Sequence, residues 1–292
     1  MSDDIRLNPS ADAWLKFMDD VVLAIRLAVQ TLNTPEVRAR EERRPGWFGE
    51  PLQKYRGTRL PDETAVSRAI IAMMRKTRDR QFIAAPLVEP GIPDLKRMDF
   101  NVEVDRAVEE ETGNQSKPTD IQIAIHAAGI DLRIEAKKLT VESEIESQYL
   151  SRHGLLRFDN AKAPYTLGAF GCMIAYVTDR DTPAWQASIE AGLQANLPGD
   201  RLTTTLIAGE EIRTTKHVLD VDLEVSEVKG HFHVDVIHMV FEFEARPSRR
   251  VAAAKSSAAK PGKRRAAKSQ AGSVERGAAR RGRKAAPTSK DA

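Results

Sequence analysis

The sequence predicts a mixed α/β fold of the α+β kind: a central mixed sheet flanked by helices, followed by a disordered basic tail. Three observations carry this. Two helical apolar patterns lie before residue 80. A series of short runs, either alternating or continuously apolar, lies between residues 100 and 243 and is interrupted by further helical patterns. Beyond residue 245 large apolar side chains almost vanish while lysine and arginine accumulate. Period-two segments interspersed with period-3.6 segments are best buried as one sheet with helices on its faces.

Residues 11–32 place Trp14, Phe17, Met18, Val21, Ile25, Ala28 and Leu32 at helical spacing, with Ser10 as N-cap and Thr34-Pro35 as the stop. That face is expected in the core or against a second copy of the chain. Residues 35–60 are expected to be irregular and basic. There Arg43, Arg44, Trp47, Phe48, Lys54, Tyr55 and Arg56 read equally as nucleic-acid contacts and as a surface loop anchored by Trp47. Pro61-Asp62-Glu63-Thr64 opens a second helix, to about Lys76, with Asp62 as its cap. Glu63 shares a face with Val66, Ile70 and Met73 and should therefore point inward.

Residues 81–98 contain Pro86, Pro90, Gly91 and Pro93 and read as loop. Phe100, Val102 and Val104 alternate with Asn101, Glu103 and Asp105, the first strand; Glu109 to Asn114 read as a solvated connection. Residues 117–139 then read as two strands and a turn at Gly129. Ile121, Ile123 and Ile125 alternate with Asp120, Gln122, Ala124 and His126; Leu132, Ile134 and Ala136 alternate with Asp131, Arg133, Glu135 and Lys137. Two registers keep both apolar sets on one face. One leaves a four-residue loop, Ala127 to Ile130, and sets Asp120 opposite Lys137. The other leaves Ala127-Ala128 and sets Asp120 opposite Glu135. The first is preferred, because the second demands positive φ at two alanines. In either register Asp120, Glu135 and Lys137 converge, since opposed and diagonal neighbours lie within about 5–8 Å.

A helical stretch over residues 142–152, ended by Gly154, is followed by a loop with Arg157, Lys162 and Tyr165. Residues 171–177 are almost continuously apolar, as in a strand covered on both faces, which makes Cys172 a core residue. Residues 182–197 form a helix with Trp185, Ile189 and Leu193 inward; Leu206-Ile207, residues 218–225 and residues 232–243 are strands. His217, His231, His233 and His238 are scattered over these elements without the spacing of a His-Glu-x-x-His zinc site. His238, on an apolar strand, reads as a hydrogen-bonded core histidine.

The formal net charge of +3 hides an asymmetry: residues 246–292 hold 15 Lys/Arg and only two acids, Glu275 and Asp291, so the preceding residues are net acidic. Such a tail buries too little apolar surface to offset its ordering entropy and is expected to be disordered. Its clusters, Lys263, Arg264, Arg265, Arg280 and Arg281, are suited to gripping phosphates without sequence preference. The single cysteine excludes a disulfide framework and a Cys-based zinc site and suits a reducing cytoplasm. No signal-peptide pattern is present, and the apolar run over residues 21–29 is broken by Arg26 and too short to span a bilayer, so no membrane partner is expected.

Two carboxylates and an ammonium at one place carry chemistry. The carboxylates are hard oxygen ligands for a divalent cation. Such a cation polarises a phosphoryl group and acidifies a bound water, and a lysine offsets charge developing on the phosphate. Asp/Glu-x-Lys occurs three times, at Asp94-Leu95-Lys96, Glu135-Ala136-Lys137 and Glu227-Val228-Lys229, but only Glu135-Ala136-Lys137 follows a strand and a turn.

With an aspartate on one strand and Glu-x-Lys on the next, Thr119-Asp120 and Glu135-Ala136-Lys137 resemble the PD-(D/E)xK nuclease superfamily, over about residues 60–245. The family's proline before the aspartate is Thr119 here, with Pro118 one position earlier. The resemblance implies a restriction-endonuclease-like core over residues 60–245, preceded by an N-terminal helix and basic loop over residues 1–59. It implies a magnesium-dependent endonuclease, with manganese able to substitute. Asp120 and Glu135 would bind the metal, joined by the Ala136 carbonyl and by Glu63 from the preceding helix, with Glu103 as a further candidate acid. Lys137 would position the attacking water and Arg157 would lie near the substrate backbone. Double-stranded DNA is the implied substrate, restriction or anti-phage defence the implied setting, and a homodimer or a partner defence subunit the implied assembly. Two other readings stay open: a non-catalytic nucleic-acid-binding protein using the tail on an inactive nuclease fold, and a metal-dependent ribonuclease.

Overall fold

The computed structural model describes residues 9–48, 58–83, 92–104, 107–109, 114–115, 119–161, 164–178, 181–223, 228–243 and 246–247. In chain order the strands are β1 (Thr58–Arg59), β2 (Asp99–Val104), β3 (Ala107–Glu109), β4 (Asn114–Gln115), β5 (Thr119–Ile125), β6 (Ile130–Leu139), β7 (Phe170–Val177), β8 (Leu202–Ile207), β9 (Glu210–Leu223), β10 (Val228–Glu242) and β11 (Arg246–Pro247). The helices are α1 (Ala11–Leu32), α2 (Pro35–Glu41), α3 (Glu63–Ile83) and α4 (Thr182–Asn196).

Seven strands form one mixed sheet in the order β2-β5-β6-β7-β10-β9-β8. The central β6, β7 and β10 run parallel to one another; the remaining neighbours are antiparallel. A parallel pair needs a crossover connection, and residues 140–169 supply the one between β6 and β7. This crossover and α4 cover one face of the sheet, where Leu139, Tyr149, Phe158, Met173, Trp185 and Val236 pack together. Helices α1 and α3 cover the other, where Phe17, Val21, Ile70, Ile121, Ile134 and Ile174 share one cluster. Helix α1 thus belongs to the same core as the sheet. All of β7 is buried, as its apolar run demands.

Helix α1 starts as its spacing predicts: the Ser10 side chain accepts from the Ala13 N–H at 3.2 Å. Helix α3 runs past Lys76 to Ile83, longer than its apolar pattern. The last turns are held by polar contacts: Gln81 donates to the Pro93 carbonyl at 2.5 Å and accepts from the Leu95 N–H at 3.0 Å. Residues 35–60 are less irregular than their composition predicts, because Pro35 begins a helix as well as ending one. Proline lacks an N–H that the first turn would leave unpaired anyway. Trp47 is buried, Arg43 and Arg44 are exposed, and Lys54, Tyr55 and Arg56 lie outside the described residues.

The hairpin register is the one not preferred above. Ile121 pairs with Ile134, Ile123 with Leu132 and Ile125 with Ile130. The objection to it, positive φ at two alanines, does not arise. His126–Ala128 form a 3₁₀ turn, and only Gly129, at φ 66°, takes the left-handed conformation that glycine adopts without steric cost. Between β2 and β5, Ala107–Glu109 and Asn114–Gln115 form a small ladder where only a solvated connection is expected. The tail boundary also shifts: Arg246–Pro247 pairs antiparallel with Thr58–Arg59. Residues 248–292 lie outside the described residues. No helix among the described residues is long and apolar enough to cross a membrane.

Candidate active site

Three segments deliver the candidate residues to one place. The β5–β6 hairpin carries Asp120, Glu135 and Lys137 on the face opposite Ile121, Ile134 and Ala136, and the first turn of α3 brings Glu63. The face is not solvated: Glu135 is 2 % exposed.

Two of the carboxylates are anchored by backbone N–H groups. Asp120 Oδ2 accepts from the Ala136 N–H at 2.7 Å, and Glu63 Oε2 accepts from the Lys138 N–H at 2.7 Å. In each case the other oxygen accepts no hydrogen bond from a described residue. Glu135 stands differently. Its Oε1 accepts from Lys137 Nζ at 2.5 Å, and its Oε2 accepts from Arg157 at 2.5 Å and from the Tyr165 hydroxyl at 2.5 Å. Lys137 Nζ also lies 4.0 Å from Glu63 Oε1. Arg157 lies over the Tyr165 ring, 4.3 Å from its centroid.

The electrostatics follow from this crowding. Asp120 is pushed up to about 7 from 3.8, first by burial and then by the charges of Glu135 and Glu63, with the Ala136 N–H opposing. Burial, opposed by Lys137 and the Lys138 N–H, raises Glu63 as well. For Lys137 burial works against the ammonium, but Glu135 and Glu63 outweigh it and hold the group protonated. Burial and Glu135 push the Tyr165 hydroxyl well up, so it stays a donor. Buried titratable groups whose environments pull their protonation apart are a hallmark of functional sites.

The donor set can be weighed against the expected magnesium. Among the described residues no three His, Cys, Asp or Glu side chains are gathered as a metal-binding group. Both oxygens of Glu135 are engaged, by Lys137, Arg157 and Tyr165. The Ala136 backbone serves Asp120 through its N–H. What remains fits a hard cation of the magnesium kind, which is usually held by one or two carboxylates together with waters and substrate phosphate. Asp120 and Glu63 each keep one oxygen that accepts no hydrogen bond from a described residue, that of Glu63 lying 4.0 Å from Lys137 Nζ.

The hairpin and helix therefore bring Asp120, Glu63, Glu135 and Lys137 together, and Arg157 joins them through Glu135 rather than at the surface. Tyr165, which the sequence placed in the loop with Arg157 but gave no role, is a site residue, since its hydroxyl donates to Glu135; the loop holding it has no period to mark it. The side chain of Glu103 lies outside the described residues, as do Lys263, Arg264, Arg265, Arg280 and Arg281. His238 is a core histidine with both ring nitrogens hydrogen-bonded. Cys172 is fully buried and burial alone pushes its thiol up, so it is no nucleophile. No protein-family model, no curated protein and no solved structure matches this chain.

Proposed function

We propose that the chain is a metal-dependent nuclease of the PD-(D/E)xK kind, with a restriction-endonuclease-like core, hydrolysing phosphodiester bonds in DNA. The observation that carries this reading is the meeting of Asp120, Glu63, Glu135 and Lys137, from three segments, with Asp120 held near 7 by burial and by its acidic neighbours. Asp120 and Glu63 would hold magnesium, with Glu135 and the Ala136 carbonyl as the further expected ligands. The metal, when bound, polarises the scissile phosphoryl group and acidifies a water.

The protein's own groups do the rest. Lys137, kept protonated by Glu135 and Glu63, positions the attacking water and offsets negative charge on the phosphate. Tyr165 and Arg157 hold Glu135 Oε2, which leaves Oε1 to orient Lys137. Arg157 is also the guanidinium in the cluster suited to a backbone phosphate. The basic residues after Pro247 add sequence-independent grip on nucleic acid. Restriction or anti-phage defence is a setting consistent with this chemistry.

One observation favours a second reading. Glu135 is fully engaged in ion pairs, as in a nuclease fold that keeps its core but binds nucleic acid without cutting it. Incubating the purified protein with supercoiled plasmid and with RNA, each with magnesium or EDTA, separates the readings. The proposal expects magnesium-dependent cleavage of the plasmid. Cleavage of RNA alone makes the protein a ribonuclease, and binding without cleavage of either makes it the inactive fold.

A further inference from the structure

The histidines noted in the sequence are not used by the proposed chemistry, yet two of them lie in a buried polar chain. Tyr149 OH is 2.8 Å from His238 Nδ1. His238 Nε2 is 3.0 Å from Thr215 Oγ1, which is 3.0 Å from His217 Nε2. His217 Nδ1 is 2.9 Å from Asp159 Oδ1, and Asp159 accepts from Arg201 at 3.1 Å. Tyr149, Thr215, His217 and His238 are all buried.

With His217 neutral, the proton positions have one solution. Tyr149 is fully buried, and His238 is its hydroxyl's partner, so the hydroxyl donates to Nδ1. Burial, with the Arg213 guanidinium beside it, pushes His238 down to about 3. The ring is therefore neutral and carries its hydrogen on Nε2, which donates to Thr215. The single hydroxyl hydrogen of Thr215 then goes to His217 Nε2. His217 must carry its hydrogen on Nδ1 and give it to the Asp159 carboxylate. For Asp159 burial works against the charge, but the hydrogen bond from His217 and the Arg201 guanidinium outweigh it and hold the carboxyl below its usual range.

The chain begins and ends on the crossover between β6 and β7. Tyr149 closes its first turn and Asp159 closes its second, while His238 lies on β10 and Thr215 and His217 on β9. Arg157 lies two residues before Asp159. Phe158 between them is wedged: its ring meets Tyr165 edge-on at 4.9 Å and His217 at 6.1 Å, and it fills the space over Gly171, where a Cβ would stand 2.3 Å from its Cε1. With Asp159 held toward β9 and Phe158 locked, Arg157 is directed to Glu135.

We propose that Tyr149, His238, Thr215 and His217 are positioning residues: the relay fixes Asp159 and thereby aims Arg157 at Glu135, setting the orientation of that carboxylate in the candidate active site. The catalytic meaning rests on the nuclease reading; the geometric claim does not.

The test is side-chain NMR on ¹⁵N-labelled full-length protein, with cleavage kinetics alongside. In the wild type, His217 is expected as the Nδ1–H tautomer and His238 as the Nε2–H tautomer, and the Arg157 guanidinium N–H signals exchange slowly. His217→Leu fills the space without the bonds. It is expected to melt cooperatively yet bring the Arg157 signals into fast exchange, and to lower kcat about 10–100-fold with little change in KM, the size expected when a catalytic group is misplaced. His217→Asn, whose amide N–H replaces Nδ1–H toward Asp159, is expected to recover much of both losses relative to His217→Leu. If His217→Leu does not fold, Thr215→Val, which is isosteric and cuts one link, is expected to move the same signals. Unchanged Arg157 exchange in a folded His217→Leu protein, equal losses in the Leu and Asn variants, or the opposite tautomers overturn the proposal. If the wild type cuts neither DNA nor RNA, the nuclease reading fails, and the Arg157 signals still decide the positioning claim.

Discussion

Replacing Asp120 by asparagine should stabilise the metal-free protein while abolishing activity. Asp120 is pushed from 3.8 to about 7 in the folded chain. At about 1.4 kcal/mol per pH unit, that gap sets a ceiling of ~4 kcal/mol on the destabilisation caused by its charge at neutral pH. Asparagine keeps the size, still accepts from the Ala136 N–H, and removes the charge. Its two amide hydrogens need acceptors beside Glu135 and Glu63, and the wild-type site relaxes in part, so a net gain of about 1–3 kcal/mol is expected. For a chain of this size that is a rise in Tm of roughly 3–10 °C. The sign follows from proton binding. A carboxyl harder to ionise folded than unfolded makes the fold hold the extra proton, so wild-type stability falls as pH rises from about 4, with the loss complete above about 7. The advantage of the variant should therefore be greatest at pH 8 and close to nothing near pH 4. Magnesium stabilises the folded wild type by RT ln(1+[L]/Kd), and the variant should lose most of that rise. Thermal melts of both proteins at pH 4.5 and 8, with EDTA and with magnesium, test this. A variant less stable than wild type at pH 8 in EDTA, or an equal magnesium-dependent rise in both, refutes the reasoning.

Three other outcomes are expected. Lys137→Ala should lower cleavage about 10²–10³-fold while filter binding of DNA persists; wild-type rates at saturating magnesium would remove lysine from the chemical step. Deleting residues 248–292 should preserve the magnesium-dependent rise in Tm but flatten the dependence of DNA affinity on salt, by about 0.9 in log–log slope for each phosphate that the tail neutralises; identical slopes would mean the tail is no grip. Gly171→Ala should destabilise the fold by about 1–3 kcal/mol in denaturant titrations, because its methyl meets the locked Phe158 ring; an unchanged midpoint would show that Phe158 is free to move.

The elements most legible in the sequence are those whose periods reflect burial. Helix α1, the hairpin strands, β7 and α4 all place their apolar residues where spacing puts them. The hairpin register is less legible, because a two-residue turn through Ala127 and Ala128 would need positive φ at both. The chain instead turns through a 3₁₀ segment beyond the Ile125–Ile130 pair and needs the left-handed conformation at Gly129 alone. The long end of α3 is hidden for another reason: its final turns are held by Gln81 and Arg78 to residues 93–98, contacts between positions that no local pattern links. In the candidate site, Asp120, Glu135, Lys137 and Glu63 are readable because strand and helix periods place them. Their partners are not. Arg157 and Tyr165 come from an aperiodic crossover, and only the tertiary fold turns them onto Glu135.

The central claim, that Asp120 and Glu63 hold a divalent cation, is tested most directly by calorimetric titration of magnesium or manganese in buffers of different ionisation enthalpy, which counts protons released on binding. A ligand must bind as the carboxylate, so an acid near 7 gives up its proton to the metal. Wild-type protein is expected to release close to one proton more at pH 6 than at pH 8, with that difference absent in Asp120→Asn. Binding without a pH-dependent proton release, the same release from both proteins, or no binding at all would contradict the account.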